Sequence, residues 1–454
     1  MRIIKFGGTS LRDASKMETV VKIIQSYSEP LVVVLSATAG TTDSLLKMVK
    51  LSSLGEMEKL SQERQNLEEK HFTIIKNLGM EGESLLKKEI KEYFVKIEIF
   101  LLGIYYLREI TPRASDAIVS HGELLSTKIF AAYLKFLNIK SEWFDIRHIM
   151  KTDSKFGSAL PNQVLLCSLS KKLLTPHLTS KNIIVTQGFI GSDSDGLTTT
   201  LGRGGSDYTA ALLGNALGAE LIEIWTDVSG VMTADPRLVP AAFTQNDLSF
   251  KEAAELAYFG AKVLHPSTML PAIEKKIPVA VKNTLQPAAS GTTITPESNR
   301  PGICKAIAFR KDIMILTVES SRMLMAYGFL DRIFNVFARY QISVDLISTS
   351  EISVSLTIDN AHFNPEIVEE LSIFSKVRIA ENKAIVAVVG ENIKASTNFL
   401  SKAFLALKDI SIEMITFGTS NVNLSLVVPE EQVEESVQKL HHAFFENQHE
   451  ETSL

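Results

Sequence analysis

Residues 198–218, TTTLGRGGSDYTAALLGNALG, decide how this chain is read. Threonines lead into a glycine loop around Arg203, and a run of alanine and leucine with helical character follows. Glycines let backbone N–H groups approach a ligand, and a helix N-terminus adds partial positive charge. Residues 202–206 are therefore shaped to receive an anion. Ser206 reads as the N-cap of the helix. Alone, a GxGG run is equally a tight turn before a capped helix, so the surrounding sequence has to decide.

Upstream, the apolar run Ile183–Gln187 reads as a strand that enters the loop through Gly188-Phe189-Ile190-Gly191. Downstream, residues 221–225 form another, delivering Thr226-Asp227 and then Asp235-Pro236-Arg237. The N-terminal Arg2–Phe6 runs directly into Gly7-Gly8-Thr9-Ser10, Leu31–Leu35 into the small residues 36–42, and residues 278–282 read as a further strand. Repeated strand-loop-helix units predict an α/β fold around a mainly parallel sheet, with ligands at the carboxyl ends of the strands.

Residues 54–110 are rich in Glu and Lys with helical periodicity, and read as a helical insertion with solvated charged faces. Asp116 to Leu137 reads as one amphipathic helix with Ser120, Glu123 and Thr127 on a shared face. His121-Gly122-Glu123 resembles the H-x-E of zinc deaminases, but no PCxxC follows. His265-Pro266 marks a break between two helices.

The length of 454 residues implies two or three domains. A net charge of -5 without basic runs argues against nucleic acid. Cys167 and Cys304 form no CxxC, and no signal-peptide or membrane-spanning run is present, which points to the cytoplasm. A stretch dense in Pro, Gly, Ser and Thr places a linker at 286–302.

Beyond the linker the chain repeats itself. ISVDLISTS from Ile342, followed by SVSLTI, returns as ISIEMITFG from Ile410, followed by VNLSLVV. Each copy follows an apolar strand (313–318; 385–389) and an amphipathic helix, so both halves read as α+β units of βαββ type. His441, His442 and His449 are better explained by a mobile tail than by a metal site.

Walker-type and protein-kinase signatures are absent. Several Gly/Ser/Thr loops follow strands, with isolated cations at Lys5, Arg203, Arg237 and Lys262. That pattern suits phosphoryl transfer, where catalysis is mostly positioning and charge neutralisation.

KFGGTS at Lys5, RASDAIVSHGELLS at Arg113, QGFIGSDSDGLTTTLGRGGSDYTAALLG at Gln187, WTDVSGVMTADPR at Trp225 and FGAKVLHPSTM at Phe259 resemble the successive motifs of aspartate kinases of the amino-acid kinase superfamily. The repeated C-terminal units resemble that family's paired ACT domains, and the chain is most similar to the monofunctional, lysine-sensitive type. With the chain ending after the second unit, no fused homoserine dehydrogenase is expected. The resemblance implies a catalytic domain over 1–285 with the insertion at 54–110. A first ACT domain over 303–381 and a second over 382–454, the two intertwined, follow.

It also implies ATP with Mg²⁺ on the phosphates, L-aspartate as acceptor, lysine as effector, and a homodimer through the ACT domains that can pair into a tetramer. A carboxylate with a reference pKa of about 3.9 is already ionised, so no general base is needed. In the family pattern Lys5 neutralises the transferring phosphoryl and Asp207 orders the loop. Gly7, Gly8 and Ser36 supply amides or hydroxyls to the phosphates, and Thr226, Asp227, Arg237 and Lys262 bind the nucleotide. Arg203 pairs with the α-carboxylate and Glu123 with the α-ammonium, helped by Thr42 and Ser206. Met232 departs from the tyrosine frequent in lysine-sensitive relatives.

For the effector, the resemblance implies Gly328, Phe329 and Leu330, with Val344 and Asp345 opposite, Ser350 and Glu351 near, and Met323 flanking. Met325 and Ala326 replace polar residues of some relatives, which points to a weaker or different effector. A glutamate-type kinase would share the nucleotide loops but not the Arg203 and Glu123 context. A silent amino-acid sensor would not need Lys5, Arg203 and Asp207.

Overall fold

The computed structural model describes residues 1–178, 182–260, 266–297, 304–320, 323, 327–418 and 421–446. They form two compact units, Met1–Val231 with Val263–Pro296, and Met232–Lys262 with Glu297–Leu454. The excursion at 232–262 thus groups with the C-terminal unit, an association that no local sequence signal announces.

In the first unit, strands β1 (Arg2–Phe6), β2 (Leu31–Leu35), β3 (Ser141–Phe144), β4 (Ile183–Gln187) and β7 (Leu221–Thr226) lie side by side with β9 (Val279–Asn283) and β10 (Thr292–Thr295). The order is β3-β4-β2-β1-β7-β9-β10, parallel up to β9 and antiparallel at β10. IIKF, LVVVL and IIVTQ are β-branched or aromatic almost throughout, as suits strands covered on both faces. Lys5 sits at the centre, in register with Val34 and Ile224. A hairpin of β5 (Ile190–Ser192) and β6 (Thr198–Thr200) leads into the glycine loop. The short β8 (Asp247–Ser249) belongs to the second unit.

Helices α1 (Ala14–Gln25) and α2 (Thr41–Leu54) are followed by α3 (Met57–Asn77) and α4 (Ser84–Leu107) of the insertion. Leu60, Leu67 and Ile74, with Ile90, Phe94, Ile97 and Leu101, form buried stripes at helical spacing that join the main core of the unit. The expected single helix at 116–137 is instead two, α5 (Pro112–Val119) and α6 (His121–Phe136), which meet at Ser120. The Ser120 hydroxyl turns back to the carbonyl of Ala117. Further along this unit come α7 (Gln163–Leu169), α8 (Gly205–Leu217), which bears on the site, and α10 (Pro266–Glu274), while α9 (Phe250–Tyr258) belongs to the second unit.

The second unit carries a six-stranded antiparallel sheet, β12-β13-β11-β14-β16-β15, built from β11 (Ala306–Glu319), β12 (Ile347–Thr349), β13 (Ser353–Asp359), β14 (Lys376–Val389), β15 (Met414–Phe417) and β16 (Asn423–Pro429). Both central strands are 14 residues long and serve both repeats. Residues 313–319 of β11 pair with β13, while 306–310 pair with 385–389 of β14. The repeats are intertwined, because each lends half a strand to the other's sheet. Each also keeps its own core, one around Phe337 and Leu356, the other around Phe399 and Leu426.

Candidate active site

A cleft of about 510 Å³ opens at the carboxyl ends of β1, β2 and β4, in the first unit. It is lined by Lys5, Gly8, residues 36–40, Thr42, Glu123, Phe189 and the whole run 202–207. The two glycine-rich stretches, some 200 positions apart in sequence, thus face the same space.

Lys5 Nζ lies 2.6 Å from Asp207 Oδ1 across that space, with the lysine side chain 11% exposed. Asp207 is in the first turn of α8, where the helix dipole favours an acid. Gly204, at φ +73°, is the N-cap of α8 and contributes no side chain, so the expected cap at Ser206 is corrected. Ser206 lies one position inside the helix, and its hydroxyl is left free of the capping role. A β-carbon at Gly188 would come within 2.5 Å of Ser206, so glycine there is what allows β4 to pass under the serine. Arg203 is exposed at the rim and pairs with none of the described acids.

Glu123, on α6, is 3% exposed. Its Oε1 accepts the Ala37 amide at 3.1 Å, and its Oε2 has no partner. Burial pushes its carboxyl up to about 8, against the lowering effect of the Ala37 amide and of Lys5. A buried acid with one open oxygen is poised for a cationic partner. Two of the amides expected at the phosphates are already committed: Gly7 donates to the Trp225 carbonyl at 3.1 Å and Ser36 to that of Phe6 at 3.1 Å. Of these two residues Ser36 lines the cleft.

Thr226 ends β7 and bonds to the exposed Asp227 at 3.1 Å. Arg237 lies in the other unit, its exposed guanidinium held by Asp235 at 2.6 Å. Lys262, Met325, Ala326, His265 and His449 fall outside the described residues. No cluster of three or more His, Cys, Asp or Glu forms among the described residues. The cleft's lining offers Asp207, paired with Lys5, as a carboxylate suited to a metal brought in on phosphate oxygens.

Asp116 was not singled out from the sequence. Its carboxylate accepts the amides of Gly157 (2.9 Å) and Thr200 (2.8 Å) and the Thr200 hydroxyl (2.8 Å), fixing the end of the hairpin from which residues 202–207 depart. Burial raises its pKa, partly offset by these three donors. The available signal was an acid directly before the apolar run Ala117-Ile118-Val119. The insertion also reaches the site: Lys70 Nζ, on α3, donates to the Ala39 carbonyl at 2.6 Å and to Thr41 Oγ1 at 3.2 Å. The expectation of solvated faces fails at this residue.

In the second unit, Gly328 caps α11 (Phe329–Arg339) at φ +80°, Phe329 is buried against Phe374, and Leu330 is 43% exposed. Met323 and Val344 pack at the edge of the same core, and Ser350 and Glu351 are exposed. The Asp345 side chain is only 4% exposed. Its Oδ1 takes Arg310 at 3.0 Å and the Tyr258 hydroxyl at 2.6 Å, and its Oδ2 is unpartnered. Tyr258 was likewise not anticipated.

The amino acid kinase family profile matches residues 1–283, and an ACT domain profile matches 316–365 and 386–444. The chain is 41% identical over 453 residues to the lysine-sensitive aspartokinase 3 of Escherichia coli (strain K12), covering 98% of this chain and 99% of that protein. It is 38% identical to the chloroplastic aspartokinase 3 of Arabidopsis thaliana, covering 98% and 81%. Two crystal structures of E. coli aspartokinase III are similar over 98% of this chain at 39% identity. The complex with aspartate and ADP (R-state) gives a TM-score of 0.85 and is covered over 100% of its length. The complex with lysine and aspartate (T-state) gives 0.82 and is covered over 99%.

Proposed function

The chain belongs to the aspartokinases of the amino acid kinase family, and from that premise we propose how its residues divide the work. As an ATP-dependent kinase it transfers the γ-phosphoryl of ATP to the β-carboxylate of L-aspartate, giving 4-phospho-L-aspartate. The observation that carries the assignment is the convergence of Lys5, Arg203, Glu123 and Asp207 on one cleft.

Arg203 takes the α-carboxylate of aspartate and Glu123 the α-ammonium, with Thr42 and Ser206 beside them. This grip turns the β-carboxylate toward Lys5. Its oxygen bonds to the γ-phosphorus as the bond to the bridging oxygen breaks, and ADP leaves with that electron pair. Lys5 neutralises the non-bridging oxygens, and Asp207 holds Lys5 in place before substrate arrives. Mg²⁺, carried on the nucleotide phosphates, supplies further charge neutralisation when bound. Gly7, Gly8 and Ser36 line the phosphate path, and Thr226, Asp227, Arg237 and Lys262 hold the rest of the nucleotide.

The regulatory reading places lysine in the first ACT repeat, with Asp345 as acceptor of an ammonium and Gly328, Phe329, Leu330, Val344, Ser350, Glu351 and Met323 around it. It is supported by the open Oδ2 of the buried Asp345 and by the lysine complex of the E. coli relative. Lysine and aspartate must then affect each other's binding reciprocally. Dimerisation through the ACT units is supported by β12, a strand of exposed residues at one end of its sheet. We keep the domain limits 1–285, 286–302, 303–381 and 382–454, and place the enzyme in the cytoplasm. Among the described residues no helix is long and apolar enough to cross a membrane.

The test is ADP release from Mg-ATP with L-aspartate, with L-glutamate in parallel. Aspartate-dependent release that collapses in Lys5→Ala is expected. Release of equal rate with glutamate would overturn the acceptor assignment, and an active Lys5→Ala would remove Lys5 from the transfer step.

A further inference from the structure

The loop over residues 36–42 supplies one wall of the cleft, and its shape is set by identifiable bonds, among them the Thr41 amide to the Thr38 carbonyl at 3.0 Å and the Ser126 hydroxyl to the Ser36 carbonyl at 2.8 Å. Thr38 and Thr41 share a hydroxyl contact of 2.6 Å, the Ala39 amide reaches the Gly8 carbonyl at 3.1 Å, and the Ala37 amide reaches Glu123. Gly40, at φ +76°, starts α2 without a side-chain cap. Among the described residues, the side chain that ties the loop to the insertion is Lys70, through the Ala39 carbonyl and the Thr41 hydroxyl. Lys70 is partly buried, and none of the described acids pairs with it.

An ammonium held away from water without a counter-ion costs stability, and burial does lower its pKa. Such a cost is retained where the group shapes a site that will receive negative charge. Lys70 does not line the cleft, so it acts through the loop.

We propose that Lys70 of the helical insertion is a positioning residue for the aspartokinase reaction, setting the loop at 36–42 so that Thr42 and Glu123 meet the acceptor amino acid. The inference rests on the placement of aspartate argued above. It makes the insertion part of the acceptor site, where its sequence suggested a solvated appendage.

Steady-state kinetics and thermal unfolding of Lys70→Met and Lys70→Arg, with Arg203→Ala as reference, provide the test. Lys70→Met should raise the KM for aspartate about ten-fold with kcat changed less than two-fold. Its Tm should stay close to that of wild type, because removal of a half-buried charge offsets the loss of its two bonds. Lys70→Arg, which can still donate to both oxygens, should recover most of the affinity. A Lys70→Met enzyme with wild-type KM beside a damaged Arg203→Ala would overturn the role of Lys70 alone. A fall in Tm with kcat lost and KM unchanged would reduce Lys70 to a structural strut. Wild-type KM in both Lys70→Met and Arg203→Ala would overturn the placement of aspartate itself.

Discussion

Glu123 in the first unit and Asp345 in the second are both buried acids with one oxygen unpartnered, and they differ in what holds the other. Glu123 leans on a single backbone amide, and desolvation keeps its carboxyl near 8. Asp345 is tied by Arg310 and by the Tyr258 hydroxyl, and the phenol of Tyr258 is in turn pushed up by burial and by that acid. A ligand ammonium arriving at Glu123 creates charge in a site that lacked it. One arriving at Asp345 must share or displace partners already in place. The first arrangement suits a substrate grip and the second a switch, since only the second has an alternative bonded state to give up.

The largest effect expected from this contrast is at Glu123. Glu123→Gln removes the acceptor of the ammonium while keeping the Ala37 contact, and should raise the KM for aspartate about 30-fold, in line with a loss of roughly 2 kcal/mol for a charged hydrogen bond. Steady-state kinetics at saturating ATP reads it, and a change below three-fold would remove Glu123 from the grip.

The next effect is on pH. Glu123 has a folded pKa raised above its unfolded value, so the folded state retains its proton up to about pH 8. Its contribution to folding is fully present below the unfolded pKa and is lost as pH rises through the folded one, at up to about 1.4 kcal/mol per pH unit. Denaturant unfolding between pH 5 and 9 should therefore show a fall in stability that Glu123→Gln flattens. Aspartate binding should run the opposite way, with KM falling as pH rises from 6 to 8. A KM independent of pH in this range would break the comparison.

Smaller changes belong to the second unit. Tyr258→Phe leaves Asp345 one donor short, and should tighten lysine inhibition about five-fold. An unchanged inhibition constant would show that Tyr258 does not compete with the effector. The repeat puts Glu413, paired with Lys383, where the first copy has Asp345. Its side chain is 29% exposed and meets no tyrosine among the described residues, so Glu413→Gln should leave inhibition within two-fold of wild type.

What the sequence made legible follows from how local each signal was. The strands around Lys5 and the glycine loop were readable because β-branched runs end in small residues, and the repeat because ISVDLISTS and ISIEMITFG share spacing. The break at Ser120 was not readable, since 116–137 keeps a helical apolar pattern through it. Ser206 was misread as a cap because glycine at 204 can take the cap conformation without offering an oxygen. Asp116, Lys70 and Tyr258 were missed for one common reason: each acts on a partner at least 29 positions away, at Thr200, Thr41 and Asp345, and no local pattern encodes such a meeting.

The grip on aspartate by Arg203 and by a buried Glu123 that is protonated until aspartate binds is most directly tested by calorimetric titration of L-aspartate at pH 7 in two buffers of different ionisation enthalpy. Wild-type enzyme should release about one proton per aspartate bound, because the incoming ammonium ionises Glu123, and Glu123→Gln should bind more weakly with no release. Equal heats in both buffers for the wild type, with Glu123→Gln binding as tightly, would contradict the account.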